Sequence, residues 1–253
     1  MQDKKKAFEE LQCDCPKHGR YTTRKWHLPH GGTIVQPCPA CRDEGEAAEK
    51  EKKSAAAMFT FRLALSNAGI GSRYYESTFE NYIVSEPEER DALEAVRGYT
   101  RGFDRNQSGN LIMYGHTGAG KTHLACAMAK ELLLRGHTVA YMPILTLFTQ
   151  YQDISSYGAE HKGSREDFFV RMRTPDLLIL DEFGMVTLTE RDRIVLHRVI
   201  DERYNRRAPM CLIGNSSLPE FGEIVGERAM RRVMGEVEIV SFDWASSGQQ
   251  REL

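Results

Sequence analysis

Long hydrophobic runs are missing from this sequence of 253 residues. No uninterrupted apolar stretch approaches the roughly 20 residues that a membrane-spanning helix needs. The first residues, Met1-Gln-Asp-Lys-Lys-Lys, lack the apolar core of a signal peptide. We therefore expect no membrane partner and a cytoplasmic location.

An excess of charge of one sign is also lacking, since the formal net charge is −2. The chain therefore has no overall basic field of the kind that attracts nucleic acid, and any such contact needs a local patch. The length and the 41% hydrophobic content predict a soluble protein with one sizeable domain and a small one. One candidate basic patch, for which an ordinary solvated face is the alternative, consists of Lys162, Arg165, Arg171 and Arg173.

Cysteine is scarce, with six residues in the whole chain. In a cytoplasmic protein, cysteines serve as metal ligands or core residues more often than as disulfides. Cys126 and Cys211 stand alone in apolar surroundings, which predicts small core side chains. The other four fall within the first 41 residues and are Cys13, Cys15, Cys38 and Cys41.

Two ligand pairs share one spacing near the N-terminus, Cys15-x-x-His18 and Cys38-x-x-Cys41. Two such pairs suit tetrahedral Zn²⁺, and Cys13 could replace His18 as the fourth ligand. Because the segment has few apolar residues, its folding should depend on the metal. We predict a zinc-binding module over residues 1–44, with a disordered cysteine-containing tail as the alternative. The alanine-rich, mixed-charge residues 45–70 predict a helical linker.

A glycine loop follows the apolar strand Leu111–Tyr114 and precedes an amphipathic helix, which is the P-loop pattern Gly115-x-x-x-x-Gly120-Lys-Thr. Backbone N–H groups of such a loop and the positive end of the helix can surround a triphosphate. Lys121 would reach the β- and γ-phosphates, and the Thr122 hydroxyl would ligate Mg²⁺. The predicted nucleotide-binding residues are Gly115, His116, Thr117, Gly118, Ala119, Gly120, Lys121, Thr122 and His123.

Two acids follow the apolar residues Leu177–Leu180, which predicts a buried parallel strand ending in carboxylates. Asp181 would hold Mg²⁺ together with Thr122, and Glu182 would act as the general base of hydrolysis. A strand that merely ends in solvated acids is the alternative. Asn215 ends a further apolar strand, where an amide can orient the lytic water or sense the γ-phosphate; a plain turn is the alternative there.

Four further stretches share a pattern with one known family. They are Ser77–Tyr82, Lys121-Thr-His-Leu-Ala, Gly226–Met234 and Phe242-Asp-Trp244. Over about residues 70–245, the chain resembles the AAA+ ATPases of the DnaC/DnaI-type replicative helicase loaders, of which the transposition helper IstB is a close relative. The resemblance implies an α/β P-loop fold over residues 71–253. Its parallel sheet would have the order 5-1-4-3-2, flanked by helices, with a truncated lid.

The resemblance also implies roles for individual residues. Lys121 and Thr122 would form Walker A, Asp181 and Glu182 Walker B, and Asn215 sensor 1. Arg232 would be the arginine finger that reaches a neighbouring subunit's nucleotide, with Arg228 as the second candidate. One departure stands out: Ala245–Gly248 follow the Phe-x-Trp motif where loaders have a sensor 2 arginine, and the first arginine after them is Arg251.

By this resemblance, the expected function is ATP-dependent loading of a DnaB-type replicative helicase onto single-stranded DNA. Protomers would self-associate in ATP, hydrolysis would follow assembly, and the zinc module would grip the helicase. The expected cofactors are ATP, Mg²⁺ and Zn²⁺. Two alternatives stay open: an IstB-like transposition ATPase that binds duplex DNA and a transposase, and a nucleotide-switched adaptor with little turnover.

Overall fold

The computed structural model describes residues 8–28, 32–156, 165–185 and 187–244. Lys162 of the predicted basic patch and Arg251 lie outside these ranges. The chain divides between Phe61 and Arg62 into two compact units. The predicted functional division at residues 44 and 70 stays a prediction.

The first unit contains a three-stranded antiparallel sheet in the order β1 (Phe8–Cys15), β2 (Gly19–His27), β3 (Thr33–Val35). A long helix, α1, begins at Pro39 and ends at Asn67 in the second unit. Cys15 pairs with Gly19 across the β1–β2 turn, so His18 lies close to Cys15. Among the described residues of this unit, only Thr23 and Cys38 are buried. Apolar burial alone is therefore too small to stabilise the unit.

The second unit is built on a five-stranded parallel sheet in the order β5-β6-β7-β4-β8. Counted from the first strand of this unit, that order is 2-3-4-1-5, which is the predicted 5-1-4-3-2 viewed from the other edge. The prediction of the sheet is therefore confirmed. The strands are β4 (Asn110–Gly115), β5 (Val139–Pro143), β6 (Leu177–Phe183), β7 (Met210–Gly214) and β8 (Val237–Phe242).

Helices flank this sheet. The helical segment predicted over residues 144–173 consists of two described helices, and residues 157–164 between them lie outside the described ranges. The helices are α2 (Pro87–Gly102), α3 (Lys121–Leu134), α4 (Ile144–Ser156), α5 (Arg165–Arg173), α6 (Glu190–Asn205), α7 (Leu218–Val225) and α8 (Glu227–Val233). No helix in the described ranges is both long and apolar enough to span a membrane.

A buried arginine fixes the starts of two central strands. Arg203 on α6 is fully buried, and its guanidinium donates hydrogen bonds to the carbonyls of Met172, Pro175, Asp176 and Pro209. Burial lowers the pKa of Arg203 to about 10, so the group stays charged at neutral pH. Because the carbonyls of Pro175, Asp176 and Pro209 lie just before β6 and β7, Arg203 helps to set where both strands begin, and hence where their carboxyl ends lie.

Candidate functional site

The glycine loop lies between the end of β4 and the start of α3, at the carboxyl edge of the sheet. Gly115, Gly118 and Gly120 have φ values of 126°, 81° and 94°, in the region that favours glycine. A Cβ on Gly115 would lie 2.4 Å from the Phe242 carbonyl oxygen on β8. The backbone thus takes the conformation that a P-loop pattern requires, and an alanine at position 115 would displace the strand beside it.

Lys121 lies inside this loop and is only 4% exposed. Its Nζ donates hydrogen bonds to the carbonyl oxygens of Gly115 and His116, at 2.9 and 2.7 Å. Burial lowers the pKa of Lys121 to about 8, although the Asp181 and Asp243 carboxylates favour the charged form. The ammonium group is therefore held at the loop, where a bound phosphate would be its partner.

Three donors surround the carboxylate of Asp181, which is 3% exposed. Its Oδ2 accepts hydrogen bonds from the hydroxyls of Thr122 and Tyr141, each at 2.8 Å. Its Oδ1 accepts from the backbone N–H of Glu182 at 2.6 Å. The fold thus brings together Thr122 and Asp181, the two predicted Mg²⁺ ligands, and their oxygen atoms are the kind that this ion prefers.

Tyr141 is the residue of this site that the sequence analysis missed. It lies on β5, beside β6, and is buried. Burial and the Asp181 carboxylate raise the pKa of Tyr141 far above its usual range, so its hydroxyl remains a proton donor. The available signal was a tyrosine in the apolar strand Val139–Pro143, because a buried tyrosine hydroxyl needs a hydrogen-bond partner.

Glu182 has an unusual backbone conformation, with φ at +69°. The pairing of β6 with β7 shifts register between Leu180 and Phe183, so both acids sit in a β-bulge. Such bulges redirect side chains, and positive φ at a non-glycine residue costs about 1–2 kcal/mol. The side chain of Glu182 is exposed, and just beyond the bulge the N–H of Asn215 donates to the Phe183 carbonyl at 3.0 Å.

The segment before the sheet lies against the glycine loop. The Tyr82 hydroxyl donates to the Ala119 carbonyl at 3.0 Å, and a Cβ on Gly120 would lie 2.5 Å from the Tyr82 ring. The imidazole of His123 contacts the Thr78 carbonyl at 2.9 Å and the Tyr82 ring. His123, predicted as a nucleotide-binding residue, therefore has its ring against residues 78–82.

A second cluster lies in the N-terminal unit. The ligand atoms of Cys15, His18, Cys38 and Cys41 all lie within 4.8 Å of one another. Sγ of Cys41 is 3.5 Å from Sγ of Cys15 and 3.3 Å from Nδ1 of His18. The structure therefore groups His18, and not Cys13, with the other three. Three thiols and one imidazole match a structural zinc site in number and type.

The surroundings of this cluster favour a thiolate. The backbone N–H groups of Lys17 and His18 lower the pKa of Cys15 to about 6. The neighbouring Cys15 raises the pKa of Cys41 to about 11, since two adjacent thiols resist losing both protons without a cation between them. Nε2 of His18 lies 3.1 Å from a Glu44 carboxylate oxygen, which is the outer contact that metal-bound histidines commonly make.

Comparison with known proteins identifies the family. A model of the family described as IstB-like ATP binding protein matches residues 78–240, which is more than half of the chain. The chain belongs to the IstB-like ATP-binding protein family. It is 30% identical over 202 residues to the replicative helicase loader DnaC of Escherichia coli strain K12, a match that covers 79% of each chain.

Solved structures of other proteins share the fold of this IstB-like chain. The crystal structure of the DnaC helicase loader has a TM-score of 0.60 at 22% identity and covers 68% of this chain and 99% of that one. A structure of the replication initiator DnaA bound to AMPPCP and single-stranded DNA has a TM-score of 0.56 at 26% identity, and covers 68% and 50%. The parallel sheet with its flanking helices is therefore the AAA+ P-loop fold.

The two predicted arginine-finger residues of this IstB-like chain differ in their surroundings. Arg232 forms an ion pair with Asp201 on α6, and its guanidinium lies 5.7 Å from the centre of the Tyr204 ring. Arg228 is exposed at the start of α8, and the structure shows no ion pair between it and another described residue. Arg232 thus has partners within its own chain, whereas Arg228 faces solvent.

The predicted basic patch is interrupted by acids. Arg173 pairs with Glu166 at 2.6 Å and with Glu202 at 3.0 Å. Arg165 and Arg171 are exposed. Because the charge of Arg173 is balanced by these carboxylates, the described residues favour the alternative of an ordinary solvated face.

Proposed function

We propose that this chain loads a DnaB-type replicative helicase onto single-stranded DNA and hydrolyses ATP in doing so. Similarity to DnaC supports the helicase as partner, because the match covers 79% of both chains. The observation that carries the ATPase assignment is the contact between Thr122 and Asp181 beside the glycine loop. That contact unites the two halves of a Mg²⁺-nucleotide site at the carboxyl edge of the sheet.

The proposed chemistry assigns one task to each group. Loop N–H groups and Lys121 bind the phosphates, while Thr122 and Asp181 hold Mg²⁺, which would neutralise the charge that develops during phosphoryl transfer. Glu182 takes a proton from the attacking water, and Asn215 orients that water. The strained backbone at Glu182 supports this assignment, since strain of this kind concentrates at functional sites.

Assembly would complete the site. We propose that Arg232, or Arg228 in its place, reaches the nucleotide of a neighbouring protomer and stabilises the transition state there. Turnover would then depend on self-association, and Arg232 would have to leave Asp201 to act. The first arginine after Trp244 in the sequence is Arg251, which lies outside the described residues, so a sensor 2 role for it stays a question for the sequence alone.

The N-terminal unit is proposed to contact the helicase. Residues 1–44 would form the module, with Zn²⁺ held by Cys15, His18, Cys38 and Cys41, and residues 45–70 would link it to the ATPase domain of residues 71–253. Single-stranded DNA would contact that domain; the DnaA neighbour bound to single-stranded DNA supports this proposal. Because the relatives are bacterial replication proteins, the proposed location is the cytoplasm.

Size-exclusion chromatography with a purified DnaB-type helicase tests the proposal. We expect co-elution in ATP and not without nucleotide, and a stable complex with the Glu182→Gln variant, which should bind ATP without hydrolysing it. Lys121→Ala is the matched control, because it should lose nucleotide binding and therefore should not co-elute with the helicase. Absence of co-elution in ATP would count against the loader function, and an unchanged nucleotide affinity of Lys121→Ala would overturn the site itself.

A second candidate function is that of an IstB-like transposition ATPase, which the family description favours. ATP turnover measured with single-stranded DNA, with duplex DNA and without DNA separates the candidates. Stimulation by single strands supports the loader, and stimulation by duplex DNA supports the transposition role. Nucleotide binding with negligible turnover in all three conditions would instead support the adaptor.

A further inference from the structure

The Tyr141 hydroxyl belongs to the metal site by geometry rather than by motif. It donates to the same oxygen of Asp181 as Thr122 does, at the same distance of 2.8 Å. It reaches that oxygen from β5, the strand beside the one that carries Asp181. Two hydroxyls from different elements therefore hold one carboxylate oxygen from two directions.

The hydrogen bonds leave little freedom to the carboxylate. A carboxylate has about four acceptor sites. At Asp181, Thr122, Tyr141 and the N–H of Glu182 occupy three of them. About one site remains for a metal ion or for a water molecule bound to it. Without the Tyr141 hydroxyl, a second acceptor site of Asp181 would be free, and its carboxylate could turn about the Cβ–Cγ bond.

The backbone of Tyr141 is held as firmly as its side chain. Its N–H donates to the Ala68 carbonyl at 2.6 Å. Gly69, the residue after Ala68, lies so close to β5 that a Cβ there would be 2.2 Å from the Tyr141 carbonyl oxygen. A fixed backbone allows the hydroxyl to define the position of its partner, because a positioning group must itself be immobile.

We propose that Tyr141 is a positioning residue: its hydroxyl orients the Asp181 carboxylate toward the Mg²⁺ ion that Thr122 and Asp181 share. This assignment rests on the proposed ATPase function and deepens it. Any buried tyrosine hydroxyl needs a hydrogen-bond partner, and a backbone carbonyl would be enough, as it is for Tyr99. The bond to a buried carboxylate is the feature that packing does not explain.

Tyr99 provides a matched control. It is a second buried tyrosine of the same unit, and its hydroxyl donates to the Gly109 carbonyl at 2.8 Å. The Tyr99→Phe variant therefore loses a buried hydroxyl hydrogen bond, as Tyr141→Phe does, but at a backbone carbonyl rather than at Asp181. A purely structural contribution of a tyrosine hydroxyl should appear in both variants.

Binding of a fluorescent ATP analogue, titrated with MgCl2, tests the assignment. In Tyr141→Phe we expect the half-saturating Mg²⁺ concentration to rise on the order of tenfold, the effect of losing a hydrogen bond to a charged group. Affinity in EDTA should stay within about twofold of the native value by the same reasoning, because the phosphate contacts are intact. Tyr99→Phe should keep the native Mg²⁺ dependence, and melting temperatures report whether each variant folds.

The Asp181→Asn background tests whether Tyr141 acts through the carboxylate. There, Tyr141→Phe should add no further shift in Mg²⁺ dependence, because the charged carboxylate through which Tyr141 would act is gone. An unshifted Tyr141→Phe, or a full shift that persists in Asp181→Asn, overturns the positioning role while leaving the ATPase proposal intact. A native protein whose nucleotide binding ignores Mg²⁺ contradicts the proposed function, and the role of Tyr141 with it.

Discussion

At the scale of single residues, Lys121 shows how burial adjusts a charge for binding. The side chain is nearly inaccessible, and its ammonium group is bonded to two loop carbonyls. These carbonyls do not carry a full negative charge, so burial outweighs them and lowers the pKa to about 8. A polyphosphate would supply the missing charge and favour the protonated form.

Nucleotide affinity should therefore fall as the pH rises through 8. The protonated fraction of Lys121 in the free protein falls from about 0.9 at pH 7 to about 0.1 at pH 9, and only the protonated form attracts phosphate. We expect about tenfold weaker binding at pH 9, measured by titration with a fluorescent ATP analogue in EDTA. The Lys121→Arg variant, whose guanidinium stays charged, is the control. An equal decline in that variant would assign the pH dependence to another group.

At the scale of secondary-structure elements, the turn after α1, Ala68 and Gly69, covers the free side of β5, which is an edge strand of the sheet. Gly69 allows this contact because its φ is +86° and its missing Cβ leaves room for the Tyr141 carbonyl. Natural sheets commonly cover an edge strand in this way. Here the covered strand is β5, which contains Tyr141, the residue whose hydroxyl donates to Asp181.

The Gly69→Ala variant should be destabilised by about 2 kcal/mol or more, from positive φ and from the clash with β5. Gly71→Ala is the matched control, because Gly71 has φ −67° and no atom lies within 4 Å of the position where a Cβ would stand. Denaturant unfolding of both variants measures the difference. Equal stabilities would show that the contact between Gly69 and β5 is looser than its geometry indicates.

At the scale of the whole molecule, the two units are stabilised by different physical effects. The second has a continuous apolar core around its sheet. The first has two buried residues among those described and a group of four side chains that could hold a metal ion. We therefore expect folding of the first unit to depend on Zn²⁺ and folding of the second to be independent of it.

Removal of zinc should unfold the first unit alone. With a chelator, amide hydrogen exchange should become fast over residues 8–28, while the main thermal transition and nucleotide binding of the second unit are retained. Retained protection of residues 8–28 in the metal-free protein would contradict the coupling.

Zinc content decides the fourth ligand. The purified His18→Ala variant should lose the metal, whereas Cys13→Ser should keep it, because His18 lies within the cluster and Cys13 does not. Metal analysis of both variants measures this. The opposite pattern would make Cys13 the ligand and His18 a surface residue.

Assembly gives a prediction for the two arginines. In Arg232→Ala, ATP turnover should no longer rise with protein concentration. The turnover rate of the assembled protein should fall by a factor on the order of 10³ or more, and nucleotide affinity should stay unchanged. The lost ion pair with Asp201 is partly exposed and should cost at most about 1 kcal/mol of stability. Arg228→Ala is the comparison; if it alone has the kinetic effect, the finger is Arg228.

The family, the nucleotide loop and the two acids were readable from sequence because each depends on short-range chemistry. A glycine loop between a strand and a helix allows the local backbone few conformations, and so do two acids after four apolar residues. The strand order came from the resemblance to the DnaC/DnaI-type family, because spacing along the chain does not say which parallel strands are neighbours. The candidate zinc ligands could be predicted as a set, although the sequence could not choose between Cys13 and His18.

Only the tertiary structure decided the relations between distant residues. The Tyr141 hydroxyl contacts Asp181 from the neighbouring strand, and the bulge redirects Glu182. Arg232 pairs with Asp201, and His18 rather than Cys13 lies with the other three candidate metal ligands. Each depends on strand register, on helix placement or on the direction of a side chain, and these are set by packing of the whole core. Sequence spacing determines which residues can react; the packed fold determines which atoms meet.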